Sequence, residues 1–592
     1  MRWRRPLLPC VAVAVAAVLS ACGGLPTGSA VQEGSRVGQP VLQAVQVQPD
    51  GPAAGATPKQ IVLGFLRAGA GAGFDDDHAI ARSFFIRSVK DEWLPDSGVK
   101  VYADDSALKF EQLTHSTVRV TAVIVAEVDN AGRYREMPAG TTAQATFRMQ
   151  KLGVGWRISQ PQKGFGLWLN ASDLDRTYRS FTIAYVSQGA RTIVGDRRWF
   201  PVTPGLATTL ARAQLAPVPS YLTGAAQTGV PAGTVLAVDS VPIQSGRAVV
   251  DLSAAALSAN HDLRRAMWAQ FVTTLMQVAS VTEVSLEVNG AGLDLPNTLD
   301  PVSDLTSLGY QPDAPVSVET AILRAGSALS RVSSDRPLDQ DQPPKPPASS
   351  FLPKIPAGWV SLAESWNGRE IAGIGGDHGD LARWQGGRFF HLAKFGSKLT
   401  KPSYDSLSGL WVAGQAGGAS RVWVIDTTLT PVETARPREI SVPWLANRVV
   451  LALKVATDNQ RVALITSDRA GGDVQVVVAG IVRLANGVPV SLAPVPLRVG
   501  WTLTSATDLA WVDDSTLAVV GRISRLDAIG PLLVEIGGKA TAMPPVVGTR
   551  SVTNTGGLRG VVVMTYAGKV RARAGSGWQV LQTGTDFLVP GG

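Results

Sequence analysis

Seven prolines stand between Asp335 and Pro356: Pro337, Pro343, Pro344, Pro346, Pro347, Pro353 and Pro356. Each lacks an amide proton and fixes φ, so neither a helix nor an interior strand runs through them, and an extended, semi-rigid polyproline segment is what remains. Residues 335–357 therefore read as a linker between separately folded parts of a 592-residue chain. That length admits three or four domains. With 45% hydrophobic and 17% charged residues, the composition is that of packed domains, not of disordered chain.

The N-terminus bounds the compartment. Arg2, Arg4 and Arg5 precede an apolar run from Leu7 to Ala21, too short to span a bilayer comfortably and flanked as a secretory signal is. The run ends Leu19-Ser20-Ala21-Cys22, followed by Gly23-Gly24. This resembles the bacterial lipobox, against the alternative of an ordinary signal with an incidental cysteine. The resemblance implies a signal peptide over 1–21, cleavage between Ala21 and Cys22, and S-diacylglyceryl and N-acyl groups on Cys22. Two chains on one glycerol give durable attachment, so the expected location is the outer face of the plasma membrane. Of the two cysteines, Cys10 leaves with the signal, so the mature body is expected to hold no disulfide, no thiol nucleophile and no cysteine metal site. Residues 22–56, rich in Gly, Gln, Pro, Ser and Val, read as a lipidated tether.

A first domain is expected over 57–170. Ile61, Val62, Phe65 and Leu66 recur at helical spacing, with Thr57 placed to cap and Pro58 at the first helical position. A second helix is expected over His78 to Phe85. Strands follow at Val118–Val128, Thr141–Lys151 and Trp156–Ser159. Two helices and a curved antiparallel sheet make an α+β roll, similar in pattern to nuclear-transport-factor and cystatin folds.

A second domain is expected over 177–312. Phe181–Val186 reads as a strand, Leu206–Leu215 as a helix, Ala248–Leu252 as a strand, His261–Ala279 as a long helix, and Val281–Val288 as a strand before the turn signal Asn289-Gly290. Asp251 and Ser253 are placed to cap or turn the chain. This α/β order resembles the GerMN domain, a module of interaction and assembly from which no enzymatic activity follows.

Residues 358–592 are β-rich. Apolar strands recur at Glu370–Ile374, Gly409–Gly414, Arg461–Thr466, Thr516–Val520 and Arg559–Thr565, between Gly, Asp and Asn turns. Their spacing is that of β-propeller blades, five of them or six; a pair of β-sandwiches is the alternative. Lipobox, α+β domain, GerMN-like domain and propeller, in that order, resemble the LpqB family of actinobacterial lipoproteins. That resemblance implies a membrane-anchored accessory that binds the extracytoplasmic domain of a sensor histidine kinase of the MtrA–MtrB type, and modulates it in envelope homeostasis and division. The alternatives are a scaffold for cell-wall polymer and a propeller glycan hydrolase, the latter needing paired acids at one mouth.

Chemistry-bearing motifs are few. No Gly-x-Ser-x-Gly, His-Glu-x-x-His or phosphate loop occurs. His78, His115, His261, His378 and His391 are scattered, so no catalytic, cofactor-binding or metal-ligating residue is assigned and no cofactor is expected. Ser97-Gly98-Val99-Lys100 matches a Ser-x-x-Lys pattern but reads as a turn without its Lys-Thr-Gly partner. Asp377-His378-Gly379-Asp380 reads as a turn sooner than a metal site, and Asp75-Asp76-Asp77 as the acidic first turn of a helix. Ser403-Tyr404-Asp405 to Trp411 is faintly similar to a sialidase Asp-box, with its Gly and Trp at the wrong spacing. The net charge is +8, three of it in the signal, and no Lys/Arg block marks a nucleic-acid partner.

Overall fold

Helix Pro58–Gly69 forms where the spacing predicts it. Thr57 and Gln60 make a reciprocal capping box, Pro58 takes the first turn, and Ile61, Val62, Phe65 and Leu66 are buried. The computed structural model describes residues 49–591, except 72–76, 154, 190, 297, 299, 311–317 and 335–351. The signal, Cys22 and most of the tether and linker lie outside these residues.

In the first domain that helix packs on a seven-stranded sheet. Val118, Val120, Ala122, Ile124, Ala126 and Val128 alternate inward along strand Thr117–Val128. Phe65 meets Phe85, Trp93 and Phe147 edge-on, with centroids 4.9 to 5.9 Å apart. Two details depart from the sequence expectation. The sheet is not wholly antiparallel, because Val99–Tyr102 pairs in parallel with Leu167–Asn170. The second helix is only Ala79–Arg82, since His78 enters it at φ 56°, which no helical residue adopts.

The GerMN-like domain begins with hairpin Tyr178–Ser187/Ile193–Pro201. Helix Leu206–Gln214 follows, then strand Arg247–Leu252, helix His261–Leu275 and strand Glu283–Val288. The two later strands pair in parallel, as a strand–helix–strand crossover requires. The long helix stops at Leu275, short of the expected Ala279. Asp251 Oδ1 accepts the Gly290 amide at 3.1 Å, so it pins the Asn289-Gly290 turn.

The rest curls into a propeller of sheets. Five successive sheets span Trp359–Leu392, Ser403–Ile440, Val449–Val499, Ser505–Ala542 and Thr549–Thr583, here blades 1 to 5. The sixth combines Thr320–Ala325 and Ala328–Ser333 with Asp586–Leu588 from the far end of the chain. Its Ala321, Leu323 and Val332 pack on blade 5, and its Ile322 and Leu588 on blade 1, which closes the ring. The Pro-rich segment thus interrupts the propeller and does not precede it. Its last residues belong to the fold: Ile355 is fully buried, and its carbonyl and that of Pro356 accept from Arg324 at 3.2 and 2.9 Å.

Candidate functional site

Two places bring chemistry-bearing side chains together: the seam between domains and the mouth of the propeller channel.

At the seam, one apolar core runs from the GerMN-like domain into blades 3 and 4, joining Ile183, Tyr185, Leu210 and Phe271 to Ile465, Val476, Leu509 and Trp511. A Cβ on Gly480 of blade 3 would lie 2.6 Å from the Ala225 Cβ, so only glycine permits the approach. Polar groups line the border. Asp196 accepts from Arg198 Nε at 2.7 Å and from the Tyr221 hydroxyl at 3.1 Å. Arg461 of blade 3 is held by Asp458 at 2.7 Å, lies over Trp511 and donates to the Gly195 carbonyl at 3.4 Å. Burial pushes the Tyr221 phenol up, with Asp196 adding to the shift.

The first domain joins the same border. Trp199 donates its indole N–H to the Gly537 carbonyl at 2.9 Å and stacks on Tyr134 at 5.1 Å. Glu136 accepts the Ala540 amide at 2.9 Å and the Thr502 hydroxyl at 3.3 Å. Burial raises the Glu136 carboxyl despite those bonds. Lys539 pairs with Asp175 beside it.

The second place is a cavity of about 820 Å³ in the propeller, lined from blades 1, 3, 4 and 5, from the sixth sheet and from Lys398–Lys401 just before blade 2. The innermost strands of blades 1, 3, 4 and 5 begin there, at Val360, Val449, Thr507 and Ser551. The seam contacts Asp458 and Arg461 lie beyond the other end of strand Val449–Val455. The mouth therefore opens at the strand ends away from the Arg461 contact with the GerMN-like domain. Lys398, Lys401, Arg324 and Arg550 line it, with Asp377, Asp508 and Asp586. Asp586 sits between Arg324 at 3.2 Å and Arg550 at 3.6 Å. Asp508 accepts the Val552 amide at 3.0 Å, and Asp377 the Gly379 amide at 2.9 Å. These carboxylates are engaged with arginines or backbone amides. The two carboxyls that burial raises, Glu136 and Glu364, lie elsewhere, Glu364 against Arg331 at 2.8 Å.

The motifs singled out in the sequence have structural places. Ser97 ends a short turn, and Lys100, on the next strand, pairs with Glu127 at 2.5 Å. Asp377 to Asp380 form the turn before strand Leu381–Gln385, with His378 bonded to the Leu399 carbonyl at 2.9 Å. Asp77 binds Arg82 at 2.9 Å, while Asp75 and Asp76 lie outside the described residues. Asp405 accepts from Gly409 N at 2.6 Å, Trp411 Nε1 at 2.9 Å and Arg483 at 3.0 Å, which locks the entrance of blade 2. Among the described residues no cluster of three or more metal-ligating side chains occurs. Sequence reasoning passed over Arg550 and Lys454. For Lys454 the signal was a lone lysine in the apolar run Val449–Val455.

The fold and its border define a multidomain protein in which a GerMN-like module is docked on a β-propeller. Three family models match in order: "Lipoprotein LpqB, N-terminal domain" over 51–175, "Sporulation and spore germination" over 182–294, and "Lipoprotein LpqB beta-propeller domain" over 345–590. Similar proteins include lipoprotein LpqB of Thermobifida fusca, 27% identical with 91% of each chain covered. Those of Cutibacterium acnes and Mycobacterium tuberculosis are 24% and 23% identical, over 92% and 94% of this chain and 91% and 94% of theirs. Among solved structures, the first GerMN domain of Bacillus subtilis GerM aligns at 20% identity, 21% of this chain and 95% of that one, TM-score 0.18. TolB of Acinetobacter baumannii aligns at 14% identity, 53% and 83%, TM-score 0.33. The chain is thus similar to LpqB lipoproteins over most of its length.

Proposed function

We propose that this lipoprotein is anchored through Cys22 on the outer face of the plasma membrane, and that it binds and modulates the extracytoplasmic domain of an MtrB-like sensor kinase in envelope homeostasis and division. No helix among the described residues is long and apolar enough to cross a membrane, which accords with a lipid as the anchor. The observation that carries the reading is the continuous core from the GerMN-like domain into blades 3 and 4. A core of that kind moves as one packed unit, so an event at the propeller reaches the membrane-proximal domains without a hinge to absorb it. A regulator needs that property and a hydrolase does not. The carboxylates at the propeller mouth are taken up by arginines and backbone amides, which weighs against the free pair of acids a glycan hydrolase uses.

The test is crosslinking in intact cells with the native protein and with Cys22→Ala. Capture of a sensor kinase by the native protein, lost in the variant, supports the proposal. Capture of wall polymer or wall enzymes alone moves the function to a wall scaffold.

A further inference from the structure

The innermost strands of four blades break register at the same level of the channel. In blade 1 the pairing skips between Val360 and Ala363, in blade 3 between Val450 and Ala452, in blade 4 between Ala506 and Asp508, and in blade 5 between Thr549 and Ser551. The residues set out of register are Ser361, Leu451, Thr507 and Arg550, and all four line the central cavity. A β-bulge re-aims the side chain it carries, and Ser361 shows the local cost, with φ at 51°. Each blade's second strand pairs without such a break on its other edge, so the irregularity is confined to the strand at the cavity. What the four share is the cavity they border.

The cavity wall carries four cations, Lys398, Lys401, Arg324 and Arg550, against three carboxylates, Asp377, Asp508 and Asp586. Lys398 and Lys401 line the cavity with no ion pair to any described residue, while Arg324 and Arg550 share the single carboxylate of Asp586. Just behind the wall, on the strand that contributes Val449 to Ala452, Lys454 is 6% exposed and its ammonium has no hydrogen-bond partner. Lys401, which disfavours its charged form, and Asp508, which favours it, both line the cavity. A buried ammonium with no partner is costly and marks a place where a compensating group belongs. Leu451, Met564 and Phe587 supply apolar wall, Ser361 and Thr507 hydroxyls. A cavity of about 820 Å³ in which charged and hydroxyl groups converge beside apolar wall has the size of a small-molecule site.

We infer that the channel mouth binds a small organic anion bearing phosphate or carboxylate groups, held by Lys401 and Arg550 with Lys398 at the rim and the bulged hydroxyls of Ser361 and Thr507 against its body. This site is independent of the kinase reading and stands whether or not that reading holds.

The experiment is calorimetric titration of the full chain with glucose 6-phosphate, with citrate, and with glucose as the uncharged control, repeated on Lys401→Met and Arg550→Met. Lys401 is half-buried and makes no ion pair to a described residue, whereas Arg550 is bonded to Asp586 and the Thr585 carbonyl, so Lys401→Met guards against a misfolded Arg550 variant. Binding of either anion, absent for glucose and weakened at least tenfold by Lys401→Met, supports the site. Preference for glucose 6-phosphate over citrate assigns phosphate chemistry, and the reverse assigns carboxylate. Failure of both anions to bind overturns the inference. So does binding that Lys401→Met leaves unchanged, or saturation of the cavity by an acidic peptide that excludes both anions.

Discussion

Trp199 of the GerMN-like hairpin and Gly537 of blade 4, 338 residues apart in sequence, share a hydrogen bond of 2.9 Å across the domain border. The indole packs into the core of the first domain, where Tyr134 stacks on it. All three folded parts therefore meet on one side chain.

Removal of the indole N–H alone tests that relationship. Trp199→Phe keeps the ring packing and leaves the Gly537 carbonyl without its donor, a loss of about 1 kcal/mol. Trp199→Ala also empties the space, a loss of about 3 to 5 kcal/mol. Urea unfolding followed by tryptophan-independent circular dichroism checks both. Equal stability of the alanine variant and the parent would show that the domains do not lean on this contact.

Glu370 of blade 1 is buried, takes both Arg383 Nε and Nη2 at 2.7 Å, and accepts the Tyr404 hydroxyl at 2.8 Å. Glu370→Gln leaves a buried guanidinium without its counter-charge, and the expected loss is about 3 to 5 kcal/mol. Tyr404→Phe removes one bond to a charged acceptor, about 2 kcal/mol. The exposed pair Arg388–Glu433, at a similar 2.7 Å, contributes little, and Glu433→Gln changes stability by about 0.5 kcal/mol or less. Chemical denaturation of the three variants ranks them; a different order would contradict the burial argument.

Burial holds the Lys454 ammonium well below the ordinary lysine value of 10.5, Lys401 adding to the shift and Asp508 opposing it. Between the folded and unfolded values the unfolded chain binds the extra proton, so the parent gains stability as pH rises toward 10.5. Lys454→Met lacks this dependence. The variant is expected to be the more stable at neutral pH, with the gap closing as pH rises. Melting temperatures from pH 7 upward measure it, and a parent more stable than the variant at pH 7 would refute the cost assigned to the buried ammonium.

Glu136 titrates with the opposite sign. Burial raises its carboxyl above the ordinary value of 4.5. The folded state then holds the proton longer than the unfolded chain, so its contribution is fully present below 4.5 and is lost as pH rises through the folded value. Glu136→Gln keeps an acceptor for the Ala540 amide and carries no charge. Stability of the parent relative to this variant should fall as pH rises from about 4 through the acid range. A constant difference would mean that the seam is wetter than its burial indicates.

Each strand that recurred in the sequence, from Glu370 to Thr565, proves to be the second strand of its blade. That position is covered on both faces, so Glu370–Gly375 and Arg461–Ser467 are buried throughout and read as unbroken apolar runs. The sixth strand of the set is Thr320–Ala325, equally buried along its middle, but it lies before the prolines and was assigned to neither domain. The capping box at Thr57, the inward alternation of Thr117–Val128 and the order of GerMN-like elements were legible for the same reason. Each is a relation among residues within a few positions of one another.

The sequence by itself raised the expectation of an export signal with its Cys22, determined the separate elements and their order, and showed no recognisable catalytic motif. Tertiary structure alone decided the closure of the propeller by Ile322 against Leu588, the welding of the GerMN-like core to blades 3 and 4, and the ring of bulges that gathers Ser361, Leu451, Thr507 and Arg550. The physical reason is range. Periodicity and capping are local and leave their mark on neighbouring residues, whereas these contacts join strands hundreds of residues apart, and a bulge is defined only by the partner strand whose register it breaks.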